Sequence, residues 1–136
     1  MNLITRDTDY AIRALMHLAR RPAEEVVPVP VLAETLEIPR PYLRSILQTL
    51  SRHGVLTSRR GTGGGFALVQ DPKRVRLADL AGIFQGAIDL TRCVLRDHVC
   101  PARPACPLRR RLLKIQTYVT RELAQITIAD LLADEH

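Results

Sequence analysis

The stretch that decides the fold is Val29-Pro30-Val31-Leu32-Ala33-Glu34-Thr35-Leu36-Glu37-Ile38-Pro39-Arg40-Pro41-Tyr42-Leu43-Arg44-Ser45-Ile46-Leu47-Gln48-Thr49-Leu50. Its first eight residues predict a short helix over 29–36, with Pro30 tolerable in a first turn whose N–H groups have no intrahelical partner. Glu37-Ile38-Pro39 leaves room only for a tight turn. A longer helix follows from about Arg40 to His53, with Leu43, Ile46, Leu47 and Leu50 as its apolar side and Gly54 at its end. Two helices joined by so short a turn form a helix-turn-helix.

Beyond Gly54, Val55-Leu56-Thr57-Ser58 and Phe66-Ala67-Leu68-Val69 read as short strands. The segment between them, Arg59-Arg60-Gly61-Thr62-Gly63-Gly64-Gly65, is too glycine-rich for anything but a hairpin tip. A hairpin directly after a helix-turn-helix is a wing. Upstream, Thr5 is placed to cap a first helix over roughly 5–21, where Ala11, Leu15, Leu18 and Ala19 alternate with Arg6, Arg13 and Arg20. Downstream, a helix around 77–86 ends at Gly86, and an irregular segment over 92–107 precedes the best helix of the chain, from Pro107 to about Gln125. Its Leu108, Leu112, Ile115, Val119, Leu123 and Ile126 step by three or four residues, a narrow seam that suits pairing with another helix or packing on its own domain. Thr127 and Asp130 resemble the start of a short last helix. The fold class expected is mainly α with a small β-hairpin. Residues 1–76 form a winged helix-turn-helix, and 77–136 a cysteine and dimerisation region packed with it as one unit.

The 136 residues suffice for one domain with a real core, and 46% hydrophobic with 25% charged residues is ordinary globular composition. Five aromatic residues and no Trp argue against single-strand recognition by base stacking. The net charge of +6 fits a polyanionic partner. Residues 1–76 carry 12 Lys and Arg against 7 Asp and Glu, whereas 77–136 carry 8 against 7, so a nucleic-acid face belongs to the first half. No apolar run approaches a membrane span, and the start lacks the plan of a signal peptide. A cytoplasmic protein is therefore expected, with cysteines kept reduced.

In a helix-turn-helix, the N-terminal residues of the second helix lie near base edges in the major groove. Here these are Arg40, Tyr42, Arg44, Ser45 and Gln48, and Arg and Gln are suited to guanine and adenine. Arg52 and His53 fall where phosphate or solvent is expected. Arg59 and Arg60 stand at the wing, next to glycines that let backbone approach DNA. The Gly61–Gly65 run is no nucleotide-binding loop, because no helix and no Lys-Ser/Thr follow it. A non-DNA interaction module would have no reason for this wing. A thiol or cluster enzyme would need a substrate pocket with acid–base groups, and no such constellation is present.

Cys93, Cys100 and Cys106 fall within fourteen residues, and the chain has no other cysteine. Soft thiolates on irregular backbone suit an iron–sulfur centre. Zinc and thiol redox sensing are the rivals, although zinc sites usually show Cys pairs two to four residues apart. Three thiolates leave one coordination position open, for which His98, His17 and Asp9 are candidates.

These residues together resemble the Rrf-two family of bacterial winged-helix transcriptional regulators, with its IscR, NsrR and RirA branches. The resemblance covers nearly the whole chain. It includes Thr8-Asp9-Tyr10-Ala11-Ile12-Arg13-Ala14-Leu15, Ile38-Pro39-Arg40-Pro41-Tyr42-Leu43, Ile46-Leu47-Gln48-Thr49-Leu50, Arg59-Arg60-Gly61 with Gly64-Gly65, and the three-cysteine segment before a long helix. It implies a homodimer on an imperfect palindrome of double-stranded promoter DNA, acting as a repressor or activator, with repression the first expectation. It also implies a 4Fe-4S or 2Fe-2S iron–sulfur cluster on Cys93, Cys100 and Cys106. The IscR branch places a His three residues past the last cysteine, where this chain has Arg109. The NsrR branch uses an Asp on the first helix of the partner, which Asp9 matches. Nitric oxide is therefore the first signal expected, iron or redox status the second.

Overall fold

Small and branched apolar residues on one face of the first helix set the architecture. The computed structural model describes residues 3–90 and 106–135. Helix α1 (Arg6–Ala19) buries Thr8, Ala11, Ala14, Leu15 and Leu18, which recur every three or four residues. Ala11 and Ala14 have no side chain beyond Cβ to hold neighbours away. Helices α2 (Val29–Leu36), α3 (Arg40–Arg52), α4 (Leu77–Phe84) and α6 (Ile128–Ala133), with strand β2 (Gly65–Leu68), all pack on α1. The helix is shorter than the expected 5–21. Thr5 stands at its N-cap with extended backbone, but its hydroxyl meets that of Thr8 at 3.2 Å instead of capping a backbone N–H.

The helix-turn-helix follows from the turn at Glu37. This residue takes the left-handed conformation (φ 57°, ψ 42°) that ends α2, and the Ile38 N–H reaches back to the Ala33 carbonyl at 3.0 Å. Ile38 is thereby delivered into the core, and α3 begins immediately, with Pro41 in its first turn. Leu43, Ile46, Leu47 and Leu50 are buried, so every apolar residue expected on the inner side of α3 lies there.

Strand β1 (Leu56–Arg59) pairs antiparallel with β2, Leu56 opposite Leu68 and Arg59 opposite Gly65. Both strands are displaced by a residue from the sequence expectation. The hairpin is clamped by a third segment: Val27 and Phe66 exchange backbone hydrogen bonds of 2.9 and 3.0 Å. Gly65 must be glycine here, because its φ is 152° and a Cβ would stand 2.1 Å from the Val27 carbonyl oxygen.

After the wing, Asp71 accepts from the Lys73 N–H at 2.9 Å and opens a 3-10 turn over Pro72–Arg74. Helix α5 (Pro107–Gln125) packs on α4. A capping box then starts α6: the Thr127 hydroxyl accepts from the Asp130 N–H and the Asp130 carboxylate from the Thr127 N–H. Hydrogen bonds from Leu77 N–H to the Ile126 carbonyl and from Ile128 N–H to the Val75 carbonyl join the chain before α4 to the chain before α6. Ile128 and Leu123 therefore belong to the same buried cluster as α1 and α3.

The apolar seam of α5 divides. Leu123 is buried, and Val119 and Ile126 pack against that cluster, whereas Leu108, Ile115 and Tyr118 are 65%, 52% and 63% exposed. Both uses open to the seam from sequence are thus relevant: one edge closes the core, and the other has no cover within the described residues.

A non-glycine residue in the left-handed region is strained by about 1–2 kcal/mol, part of which glycine would return as unfolded-state entropy. Glu37→Gly should therefore raise the unfolding free energy by roughly 0.5–1 kcal/mol in urea titration. A lowered value would mean that the Glu37 side chain contributes more than its backbone costs.

Candidate nucleic-acid interface and cysteine segment

Because the inner side of α3 is consumed by the core, its polar residues are turned outward. Arg40, Tyr42, Arg44, Ser45 and Gln48 are all exposed. Arg44, Gln48, Ser51 and Arg52 follow one face of the helix, since i, i+4 and i+7 or i+8 lie one above the other. That face forms one wall of an open groove of about 930 Å³. The opposite wall is the wing, with Ser58, Arg59, Arg60 and Gly61, and Pro28 to Pro30 lie beside them. Four of the seven α3 and wing residues expected to read DNA therefore share one groove: Arg44, Gln48, Arg59 and Arg60. Arg40, Tyr42 and Ser45 do not line it. Arg52 and Ser51 do, although sequence reasoning placed Arg52 at phosphate or solvent and passed over Ser51. The helical repeat from Gln48 would have found both.

The groove is electrostatically one-sided. Arg44, Arg52, Arg59 and Arg60 line it and no carboxylate does. None of these four arginines takes part in an ion pair among the described residues. Uncompensated guanidinium groups above a concave, exposed backbone suit a phosphate chain and the base edges beside it.

Tyr42 differs from its neighbours. Its hydroxyl donates to the Asp7 carboxylate on α1, and its ring meets Tyr10 edge to face, with centroids 5.4 Å apart and planes at 83°. The hydrogen bond to Asp7, above all, pushes the Tyr42 phenol above its ordinary range. Whatever this contact contributes is therefore present at neutral pH and lost as pH rises through the phenol's titration.

Of the expected cluster residues, Cys106 is half-buried, carries a free thiol and stands at the N-cap of α5. Cys93, Cys100 and His98 lie outside the described residues. Asp9 is partly exposed on α1 and pairs with Arg13 at 3.0 Å, one turn on. His17 is half-buried, and its Nε2 accepts from the Arg21 Nε at 3.2 Å. Burial first, then Arg21 and Arg20, holds its imidazole below the usual range. His17 is thus neutral and already engaged.

A helix-turn-helix followed by a hairpin, with free arginines on both, defines a winged-helix DNA-binding regulator. Residues 4–134 match the Rrf2 family, described as an iron-dependent transcriptional regulator, and the chain belongs to that family. It is accordingly a transcriptional regulator and not an enzyme. It is 34% identical over 131 residues to the HTH-type transcriptional repressor NsrR of Streptomyces coelicolor, covering 96% of this chain and 88% of that protein. It is 26% identical over 133 residues to the HTH-type transcriptional regulator NsrR of Shouchella clausii, covering 97% and 89%. The fold is similar to that of CymR, the global cysteine regulator of B. subtilis, with a TM-score of 0.78, 22% identity and full coverage of both chains. It is also similar to T. potens IscR, with a TM-score of 0.74, 23% identity and coverage of 99% and 89%. Among the described residues no helix is long and apolar enough to cross a membrane.

The two walls of the groove should behave differently on substitution. Arg44→Ala should remove sequence preference, at a cost of about 1–3 kcal/mol per contact. Arg60→Ala should weaken selected and scrambled duplexes alike and reduce the salt dependence by about one ion per site. Fluorescence anisotropy on both duplexes at several salt concentrations separates the two effects. An unchanged ratio in Arg44→Ala would remove α3 as the reading helix.

Proposed function

We propose that this regulator is a homodimeric repressor of promoters carrying an imperfect palindrome, and that it senses nitric oxide through an iron–sulfur cluster. Iron or redox status is the alternative signal for the same centre. Residues 1–76 read the DNA, through Arg40, Tyr42, Arg44, Ser45 and Gln48 on α3 and Arg59 and Arg60 on the wing. Residues 77–136 sense and assemble. The observation that carries the DNA-reading part is the single groove in which Arg44 and Gln48 face Arg59 and Arg60. The similarity to a protein named as the repressor NsrR supports repression, and Asp9 in the position that the NsrR resemblance implies is the ground for choosing nitric oxide.

The donor set fits such a cluster. Three thiolates of one short segment are the soft ligands that iron–sulfur centres take, and the chain places no cysteine elsewhere to compete. Cys106 is anchored by the start of α5, whose Arg110 N–H bonds its carbonyl at 3.2 Å. Asp9 of the partner subunit is proposed as the fourth ligand, a hard carboxylate among soft thiolates and hence the most readily exchanged donor of the set. When bound, the cluster would supply a centre that reacts with diatomic gases or oxidants and is lost when iron is scarce.

Anaerobic purification followed by absorbance, iron and acid-labile sulfide assays tests the centre. Stoichiometric iron and sulfide, abolished by Cys106→Ala, is the expected result. Asp9→Ala should keep iron but change the spectrum and the rate with nitric oxide, while His98→Ala resembles the wild type. Protein without iron, or with zinc in its place, would leave thiol oxidation or zinc binding as the use of these cysteines.

The proposed dimer rests on Leu108, Ile115 and Tyr118, whose exposure leaves an apolar stripe beside the closed edge of α5. Val119, at the heart of the seam by sequence, packs on its own core and is unsuited to test assembly. Leu108→Glu with Ile115→Glu should instead give a folded monomer in analytical ultracentrifugation, because a charge buried at a dimer seam is strongly unfavourable. A double variant that sediments as a dimer would exclude this stripe.

A further inference from the structure

Helix α3 opens without a side-chain cap and with no acidic residue in its first turn. Among the described residues no side-chain hydrogen bond within α3 fastens the end that carries Arg40 and Tyr42, where Leu43 alone is buried. The fastening comes from α1. Asp7 receives the Tyr42 hydroxyl, and Tyr10, one turn further along α1, supports the same ring edge to face. Asp7 is itself set in place by a brace on the first turn of α1. The Gln85 Oε1 at the end of α4 accepts from the Thr5 N–H at 3.0 Å and from the Thr8 hydroxyl at 2.8 Å, and its Nε2 donates to the Leu3 carbonyl at 2.8 Å. Thr8 is fully buried, so this brace has a fixed position.

We infer that Asp7 is a positioning residue for DNA reading, which through Tyr42 holds the first turn of α3 in the orientation that presents Arg44 and Gln48 to the groove. A carboxylate beside a DNA-reading helix is otherwise a liability, since it repels the phosphate chain. Its place next to Tyr42 makes sense when the phenol needs an acceptor more than the surface needs one charge fewer. The four buried residues of α3 keep the helix formed without this contact, so its loss loosens one end and leaves the fold standing. Tyr42 then holds the helix through its hydroxyl, besides standing among the residues proposed to meet DNA.

The inference rests on α3 being the reading helix, and the experiment separates the two. Holoprotein is titrated against the duplex that the wild type selects from a random-sequence pool and against a scrambled duplex of the same composition. Asp7→Ala and Tyr42→Phe should each bind the selected duplex about tenfold more weakly, as expected for loss of one hydrogen bond to a charged group. Their combination should be no weaker than either alone. Binding to the scrambled duplex should stay level or tighten. Asp7→Asn, whose amide oxygen still accepts the phenol, should recover most of the loss, which a merely structural role for the charge would not allow. Gln85→Met, which removes the brace, should follow Asp7→Ala. An Asp7→Ala protein that binds the selected duplex as tightly as the wild type or more tightly overturns the inference, as does an Asp7→Asn protein no better than Asp7→Ala. Loss of selectivity in Arg44→Ala in the same assay shows that the reading helix is assigned correctly when Asp7 fails; its retention places the failure with α3.

Discussion

The buried face of α1 is the constraint on which the other elements depend. Ala11, Ala14 and Leu15 are wholly inaccessible, and α2, α3, α4, α6 and β2 are arranged around them. Small residues at two of these positions fix how near the surrounding helices come, and a packed interior answers added volume with strain instead of adjustment, about 1–3 kcal/mol for extra methylenes. Helix α3 is therefore placed by contacts made on the side away from the groove. Its inner leucines are committed to α1 and α2, and what remains outward is the polar face that meets the wing.

The wing obeys a second, shorter-range constraint. Two four-residue strands are marginal alone. Here they gain a third partner in Val27, and Gly65 is the residue that allows the Val27 carbonyl to come so close. Arg59 stands opposite Gly65, so the clamp that steadies the hairpin also places the arginines across from Arg44 and Gln48. Glycine serves here as an approach distance as well as a turn.

How far this was legible in the sequence follows from the range of each interaction. Local signals sufficed for α2, the turn at Glu37, α3, the hairpin and the Thr127–Asp130 start of α6, because each depends on residues within a few positions of one another. They also showed which side of α3 is polar, and hence Arg44 and Gln48. Contacts between distant segments had no such signature: Val27 with Phe66, Asp7 with Tyr42, Gln85 with Thr5 and Thr8. Tyr42 is the instructive case. By position it belongs with the base-reading residues, and its actual neighbours come from a helix more than thirty residues earlier. Asp7 by sequence is merely an acidic residue in a first helical turn, where a carboxylate is favourable in any case. The seam of α5 was ambiguous for another reason, since a single repeat of three and four serves packing within a chain and between chains equally well. Only the partition of exposure between Leu123 and Ile115 separates the two edges.

That partition bears on the proposal that sensing and assembly share one helix. Cys106 stands at the N-cap of α5, and the exposed stripe begins two residues later at Leu108. Arg109, Arg110, Arg111 and Lys114 surround the stripe's first turns, so the charge that keeps this end of α5 in water is of one sign. Two such ends approaching each other would repel, and an apolar contact between them must extend further along the helix to prevail. Ile115 and Tyr118 lie where it would, beyond the basic turns and before the residues that close the core.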